Sequence, residues 1–200
     1  MTCRKVDLLE KVAAFQGYFR IDRYRLRHET FDGGMTGDVV RELFERGHAA
    51  AVLPYDPVRD EVVLQEQFRI GAYAAGHEPW LIEIVAGIIE DGETAENVAR
   101  REILEETGLC AIEMVPVVET LVSPGGTSES VRIYCARVDS SEAGGVFGLA
   151  SEGEDIRTFT VPASEVADLL DSGRIANAVA LIALQWFVLN RNRIRDRWSG

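Results

Sequence analysis

The chain reads as α/β, a mixed sheet between helices with a small β-rich unit ahead of it, and three observations predict this. Short apolar runs separated by turn residues recur from His48 to Val161, as strands of one sheet would. One 13-residue segment among them, 95–107, contains neither Pro nor Gly and is flanked by capping residues, and two further helical patterns close the chain. Residues 1–47 differ in character, with nine Lys and Arg against eight Asp and Glu, whereas residues 48–200 carry twelve against twenty-five. Strands mixed with helices at both ends of a sheet give an α/β sandwich.

In chain order, Tyr18–Thr30 is rich in aromatic and charged residues with imperfect alternation, Gly33, Gly34 and Gly37 break it, and Asp38–Arg46 resumes an extended pattern. This predicts two strands joined by a loop. Fewer than about fifty residues stabilise themselves poorly, so the unit 1–47 should lean on the domain 48–200 or on a second chain. From His48, HAAAVLPY, the turn DPVRD and EVVLQEQFR form a hairpin signature. Trp80–Ala86 is a further strand. Thr94 serves as N-cap of the helix 95–107, and Gly108 before apolar Leu109 supplies a left-handed C-terminal cap. Ile112–Val122 and Glu129–Val138 read as strands around the loop SPGGTS, the Gly-rich acidic stretch Ser140–Asp155 as a long loop, and residues 156–161 as a short strand. A short helix over Ala163–Ser172 and a longer, apolar-faced one from Asn177 to about Asn192 complete the pattern.

Composition narrows the function. Two hundred residues suffice for one full-sized core plus an appendage. A net charge of −12 argues against polymeric nucleic acid as partner, because phosphate binding needs a cationic footprint. Cys3, Cys110 and Cys135 show no C-x-x-C spacing and are odd in number, as in a reducing compartment. The start, MTCRKVDLLEK, is charged too early for a signal peptide, and the longest apolar run, Ala178–Leu189, is too short to span a bilayer. The expected location is the cytoplasm, with no membrane partner. His28, His48 and His77 have no partner at metal-ligand spacing.

The chemistry concentrates between Gly87 and Leu109. At roughly 100° per residue, Glu102, Glu105 and Glu106 crowd one face of the helix. Two carboxylates about 5 Å apart repel by about 3 kcal/mol at an effective dielectric near 20, and a hard divalent cation removes that repulsion. Arg101, four residues before Glu105, can hold that side chain while the others take metal. Gly87, Glu93, Arg101, Glu102, Ile103, Glu105, Glu106, Gly108 and Leu109 stand at the spacing G, five residues, E, seven residues, R-E-U-x-E-E-x-G-U, with U apolar. A chance match in a chain of this length is on the order of one in ten million. The segment is the Nudix box at every position, so the chain resembles the Nudix hydrolases, which cleave a nucleoside diphosphate linked to a further group. That resemblance implies the Nudix fold, an α/β/α sandwich with a mixed sheet.

Sixteen residues beyond Gly108 stands Pro124, within Ser123-Pro124-Gly125-Gly126-Thr127-Ser128-Glu129. This loop, with Arg41–Arg69, the box and Gly148–Ile156, resembles the ADP-ribose pyrophosphatase branch of the family. The resemblance implies Mg2+, or Mn2+, bound by Glu102, Glu106, Glu154 and the Ala86 carbonyl, with Glu105 as a supporting or alternate ligand. It further implies Glu152 as general base on a Gly-rich loop able to close over a site, and hydrolysis of ADP-ribose to AMP and ribose 5-phosphate. Arg69 and the loop residues Ser123, Pro124 and Gly125 would contact phosphate or ribose, Glu129 the distal ribose, and Tyr18 and Phe19 the adenine, with Ile88 a further substrate-binding residue. Arg41, Glu42 and Arg46 would reach the substrate from the partner of a homodimer whose site is shared across chains. Two alternatives stay open: a pyrophosphatase for another nucleotide sugar such as GDP-mannose, since the box is indifferent to base and sugar, and a non-catalytic nucleotide sensor. A sensor would be expected to have lost box glutamates, and this box is complete.

Overall fold

The structure, a computed structural model, describes residues 4–149 and 153–198 and divides into two compact units. The first runs through His48 and takes in Leu121–Ser130; the second comprises Ala49–Thr120 and the chain from Val131 on.

The first unit is a three-stranded antiparallel sheet in the order β1 (Val6–Gln16), β2 (Arg20–His28), β3 (Val39–Glu45). Two strands were expected here and three are found. The sequence pattern hides β1 because its register with β2 shifts twice, between Leu8 and Glu10 and between Ala13 and Phe15, and each bulge breaks the two-residue alternation. Asp22 on β2 is buried and paired with Lys11 at 3.1 Å and Arg20 at 2.9 Å, which ties β1 to β2 electrostatically. The SPGGTS loop belongs to this unit: the Phe44 N–H donates to the Gly126 carbonyl at 2.8 Å.

The second unit is built on an eight-stranded mixed sheet. Its strands are β4 (His48–Asp56), β5 (Glu61–Phe68), β6 (Trp80–Glu83), β7 (Val85–Ile89), β8 (Glu113–Leu121), β9 (Ser130–Arg137), β10 (Gly145–Phe147) and β11 (Ile156–Pro162). They run in the order β10-β11-β5-β4-β9-β8, with β6 paired to β5 and β7 to β4. The helices are α1 (Ile70–Ala74), α2 (Ala95–Thr107), α3 (Val166–Asp171) and α4 (Ala178–Trp198).

β4 shows why this is a sandwich. Ala51, Leu53 and Tyr55 pack into the core that contains Ala180, Leu184 and Phe187 of α4, while Ala50 and Val52 pack into the core that contains Val98, Ala99 and Ile103 of α2. Both faces are covered, so the strand reads as a continuous apolar run rather than an alternating one. The α/β/α architecture expected from the sequence is the one observed.

Boundaries differ where tertiary contacts extend an element. The single strand expected over Trp80–Ala86 is two, β6 and β7, which pair with different neighbours. The expected loop 140–155 contains the short strand β10 against β11. The last helix continues beyond Asn192 to Trp198, because Ile194 and Trp198 stay on the buried stripe begun by Phe187, while Arg191 and Arg195 pair with Asp60 and Arg197 with Glu113.

Candidate active site

α2 and β7 position the carboxylates. Thr94 has extended backbone and accepts a hydrogen bond from the Asn97 N–H at 3.3 Å, while Gly108 closes the helix in the left-handed region at φ 70°. Both caps are those expected. Gly87 on β7 is required by contact: a Cβ there would lie 1.8 Å from Glu102 Oε1, so only glycine lets the carboxylate fold against the strand. One residue earlier, the Ala86 N–H donates to Glu106 Oε2 at 3.2 Å.

Arg101 does more than hold Glu105. Its Nη1 lies 2.8 Å from Glu102 Oε1 and 3.1 Å from Glu105 Oε2, and its Nε lies 3.5 Å from Glu93 Oε1. Glu93 in turn accepts from the Glu90 N–H at 3.0 Å, so the loop before α2 and the acidic face of α2 are joined through one guanidinium.

Burial sets the electrostatics. It pushes the Glu106 carboxyl up to about 8, against the Gln65 amide and the Ala86 N–H, and the negative charges of Glu102 and Glu154 add to the rise. Burial likewise raises Glu102, Arg101 opposes, and Glu105 and Glu154 reinforce. Glu154 is held by the Leu149 N–H at 3.1 Å, and Gly148, at φ 101°, leaves room for it: a Cβ there would lie 2.7 Å from Glu154 Cβ. Glu102, Glu106 and Glu154 therefore share one electrostatic neighbourhood. Because each turns to a different partner, no three ligating side chains among the described residues converge on one point. Glu152, the expected base, lies outside the described residues.

Arg69 is anchored to β6. Its Nε and Nη2 donate to Glu83 Oε2 at 2.9 and 2.7 Å, and Asn177 Nδ2 donates to Glu83 Oε1 at 2.7 Å. The buried Glu83 thus fixes an arginine that is itself half exposed. Sequence reasoning missed Glu83 and Asn177; the available signal was a lone carboxylate ending the apolar strand WLIE. Ile88 is exposed on β7.

In the first unit, a second set of expected residues comes together. Tyr18 packs edge-on against Phe19 at 4.7 Å and Phe19 against Phe44 at 5.0 Å, and the Arg46 guanidinium lies 5.7 Å from the Phe19 ring. Arg46 Nε is 3.5 Å from Glu129 Oε1. Tyr18 is 88% exposed, which suits stacking against a ligand better than a place in a core. Ser123 accepts from the Gly126 and Thr127 N–H groups at 3.0 Å, so Pro124 and Gly125 sit at the tip of a tight exposed turn. Arg41 and Glu42 stand apart on β3, opposite Tyr24 and Arg23, with Arg41 Nη1 on the Val40 carbonyl at 2.8 Å.

Residues 45–181 match the model of the NUDIX domain. The chain belongs to the Nudix family. It is 48% identical over 194 residues to an ADP-ribose pyrophosphatase of Escherichia coli strain K12, covering 97% of this chain and 93% of that one. A GDP-mannose pyrophosphatase of Pectobacterium atrosepticum is 31% identical over 189 residues, covering 92% and 94%. The crystal structure of an ADP compounds hydrolase superimposes with a TM-score of 0.73 at 20% identity over 100% of both chains, a likeness of fold.

Nudix hydrolases generally use divalent cations, and the residues of this Nudix chain fit one. The donors are hard carboxylate oxygens that repel one another, Glu106 is buried with its charge under-compensated, and Gly87 provides the close approach that Glu102 needs. Glu102, Glu106, Glu154 and the Ala86 carbonyl are the groups that would hold it; Glu105, exposed and engaged by Arg101, is the outlying member.

Proposed function

We propose that this Nudix pyrophosphohydrolase cleaves the pyrophosphate of ADP-ribose, yielding AMP and ribose 5-phosphate. The observation that carries the reading is the complete box, folded with Glu102 against Gly87 and Glu106 beside Ala86, in a chain similar over nearly its whole length to ADP-ribose pyrophosphatases. Mg2+, or Mn2+, held by the carboxylates would neutralise phosphate charge and acidify a water. Glu152 takes the proton of that water as its oxygen bonds to phosphorus, and the anhydride P–O bond breaks toward the other phosphate. Arg69, pre-oriented by Glu83, pairs with a phosphate oxygen. Tyr18 and Phe19 offer aromatic faces to the base, and the Glu129 carboxylate, paired with the Arg46 guanidinium, accepts from the ribose hydroxyls. GDP-mannose is the second reading, supported by the weaker similarity to a GDP-mannose pyrophosphatase.

Product analysis with each nucleotide sugar, with and without Mg2+, tests the assignment. AMP and ribose 5-phosphate in the Mg2+ reaction are expected, and faster turnover of GDP-mannose would transfer the activity to the second reading. Glu152→Gln should lower kcat about a hundred-fold with little change in KM, because a base acts in the transition state.

The working form is a homodimer in the cytoplasm. Val6 and Leu8 are exposed on one face of the small sheet and Phe15 and Val40 on the other, apolar side chains that a second chain would cover in part. In this dimer Arg41 of one chain completes the site holding Glu152 of the other. Refolding a mixture of Arg41→Ala and Glu152→Gln chains should then restore activity, since each heterodimer has one intact site. A mixture as inactive as its parents, with heterodimers demonstrated, would remove the shared site.

A further inference from the structure

Gln65 on β5 is 0% exposed, and neither its Nε2 nor its Oε1 has a hydrogen-bond partner. A buried amide so placed works against folding, and a methionine of similar volume would avoid the penalty. Its surroundings explain the choice of residue. Val63, two residues earlier, belongs to the core layer of Val98, Ala99 and Ile103, so strand alternation directs Gln65 toward α2. Its cross-strand neighbour on β11 is Thr158, whose hydroxyl donates to the Glu106 carbonyl at 2.9 Å. Residues opposite each other on neighbouring strands share a face, so the amide stands beside the last turn of α2. There the Glu106 carboxylate is itself buried, and the Ala86 N–H at 3.2 Å is its hydrogen-bond donor. A carboxylate with unused lone pairs and an amide with unused N–H groups therefore share one buried neighbourhood.

We propose that Gln65 is a positioning residue for Glu106: its amide N–H and the Ala86 N–H clamp the carboxylate, presenting it to the divalent cation in one orientation. The proposal rests on the reading of Glu106 as a cation ligand. Groups that hydrogen-bond a ligating carboxylate typically affect metal affinity about 10–100-fold. Gln65 belongs to that class.

The test measures Mn2+ affinity by electron paramagnetic resonance, and thermal unfolding in EDTA, for the parent, Gln65→Met and Glu106→Gln. Gln65→Met should bind Mn2+ about tenfold more weakly or worse while unfolding at the parent's temperature or above it, because an unpaired buried amide has been removed. A residue that only fills the core would move neither readout in that combination. Mn2+ affinity within twofold of the parent for Gln65→Met, with binding lost in Glu106→Gln, overturns the proposal and leaves the cation site standing. Unchanged binding in Glu106→Gln removes the cation reading and the proposal with it. Should Gln65→Met not fold, the parent decides: its Gln65 side-chain amide resonances should shift on Mg2+ titration and stay still in Glu106→Gln. Static resonances in the parent overturn the proposal.

Discussion

Asp56, at the end of β4, and Glu106, in the last turn of α2, are 1% and 3% exposed, and their surroundings drive them apart. Asp56 accepts from the N–H groups of Val58 and Arg59, the Arg59 guanidinium, and both the N–H and hydroxyl of Ser140, all within 3.0 Å. Burial alone would raise it; those donors hold it well below the usual carboxylate range. Glu106, equally closed to solvent, is packed more deeply among protein atoms and has fewer donors, and it rises to about 8. Depth and the supply of donors together set the state of a buried acid. They separate a carboxylate that anchors a hairpin from one left short of donors beside other carboxylates.

The largest effect that would sharpen this contrast is catalytic. Glu106→Gln should lower turnover of ADP-ribose at saturating Mg2+ by about a thousand-fold, while unfolding in EDTA is unchanged or shifted to higher temperature. Turnover within a few-fold of the parent would break the comparison at its functional end. Next comes the anchor: Asp56→Asn should cost about 3 kcal/mol in urea denaturation, since an amide cannot satisfy that many donors, with kcat nearly unchanged. A loss below about 1 kcal/mol would show that the donors around it are replaceable by water.

The pH dependence of the two should run in opposite directions. A depressed value means that the stability Asp56 contributes is present above the ordinary carboxylate pKa of 3.8 and is lost as pH falls below it. For Glu106, raised from 4.5 to about 8, the contribution is full below 4.5 and is lost as pH rises through 8. In EDTA, Glu106→Gln should therefore gain on its parent between pH 4.5 and 8 by about 5 kcal/mol. A gap that stays constant across this window contradicts the assignment of the shift to Glu106. The smallest effect concerns the strand beneath: Gly87→Ala forces Glu102 to move, and Mn2+ binding should weaken about tenfold. Unchanged affinity would show that Glu102 has a second way to reach the cation.

Much of the box end was legible in the sequence because its determinants are local. Thr94, Gly108 and the three-residue and four-residue spacings of Arg101, Glu102, Glu105 and Glu106 act within one helix, and the helix forms as they dictate. Gly87 could be placed by spacing, but its reason, the Glu102 carboxylate lying against it, appears only once β7 and α2 meet. The Asp56 anchor was not legible: its donors come from the adjacent turn and from Ser140, more than eighty positions away. Nor was Gln65, which in EVVLQEQFR reads as one polar residue among others on a strand. β1 escaped because bulges scramble its alternation.

The parallel ladder between β4 and β9 pairs Ala49 with Val131 and Tyr55 with Arg137. Its partners are about eighty positions apart, and closing a loop of that length costs about 4 kcal/mol of chain entropy before any rung repays it. The excursion between them contains β7 and the whole of α2, which carry Ala86, Glu102 and Glu106, whereas Glu152 and Glu154 follow β9 in the chain. Closing the ladder thus brackets the box segment in one loop and leaves the chain bearing Glu152 and Glu154 to follow. In refolding, recovery of turnover should not precede the strand-pairing signals, because the ladder brackets the box and the chain bearing Glu152 and Glu154 lies beyond it.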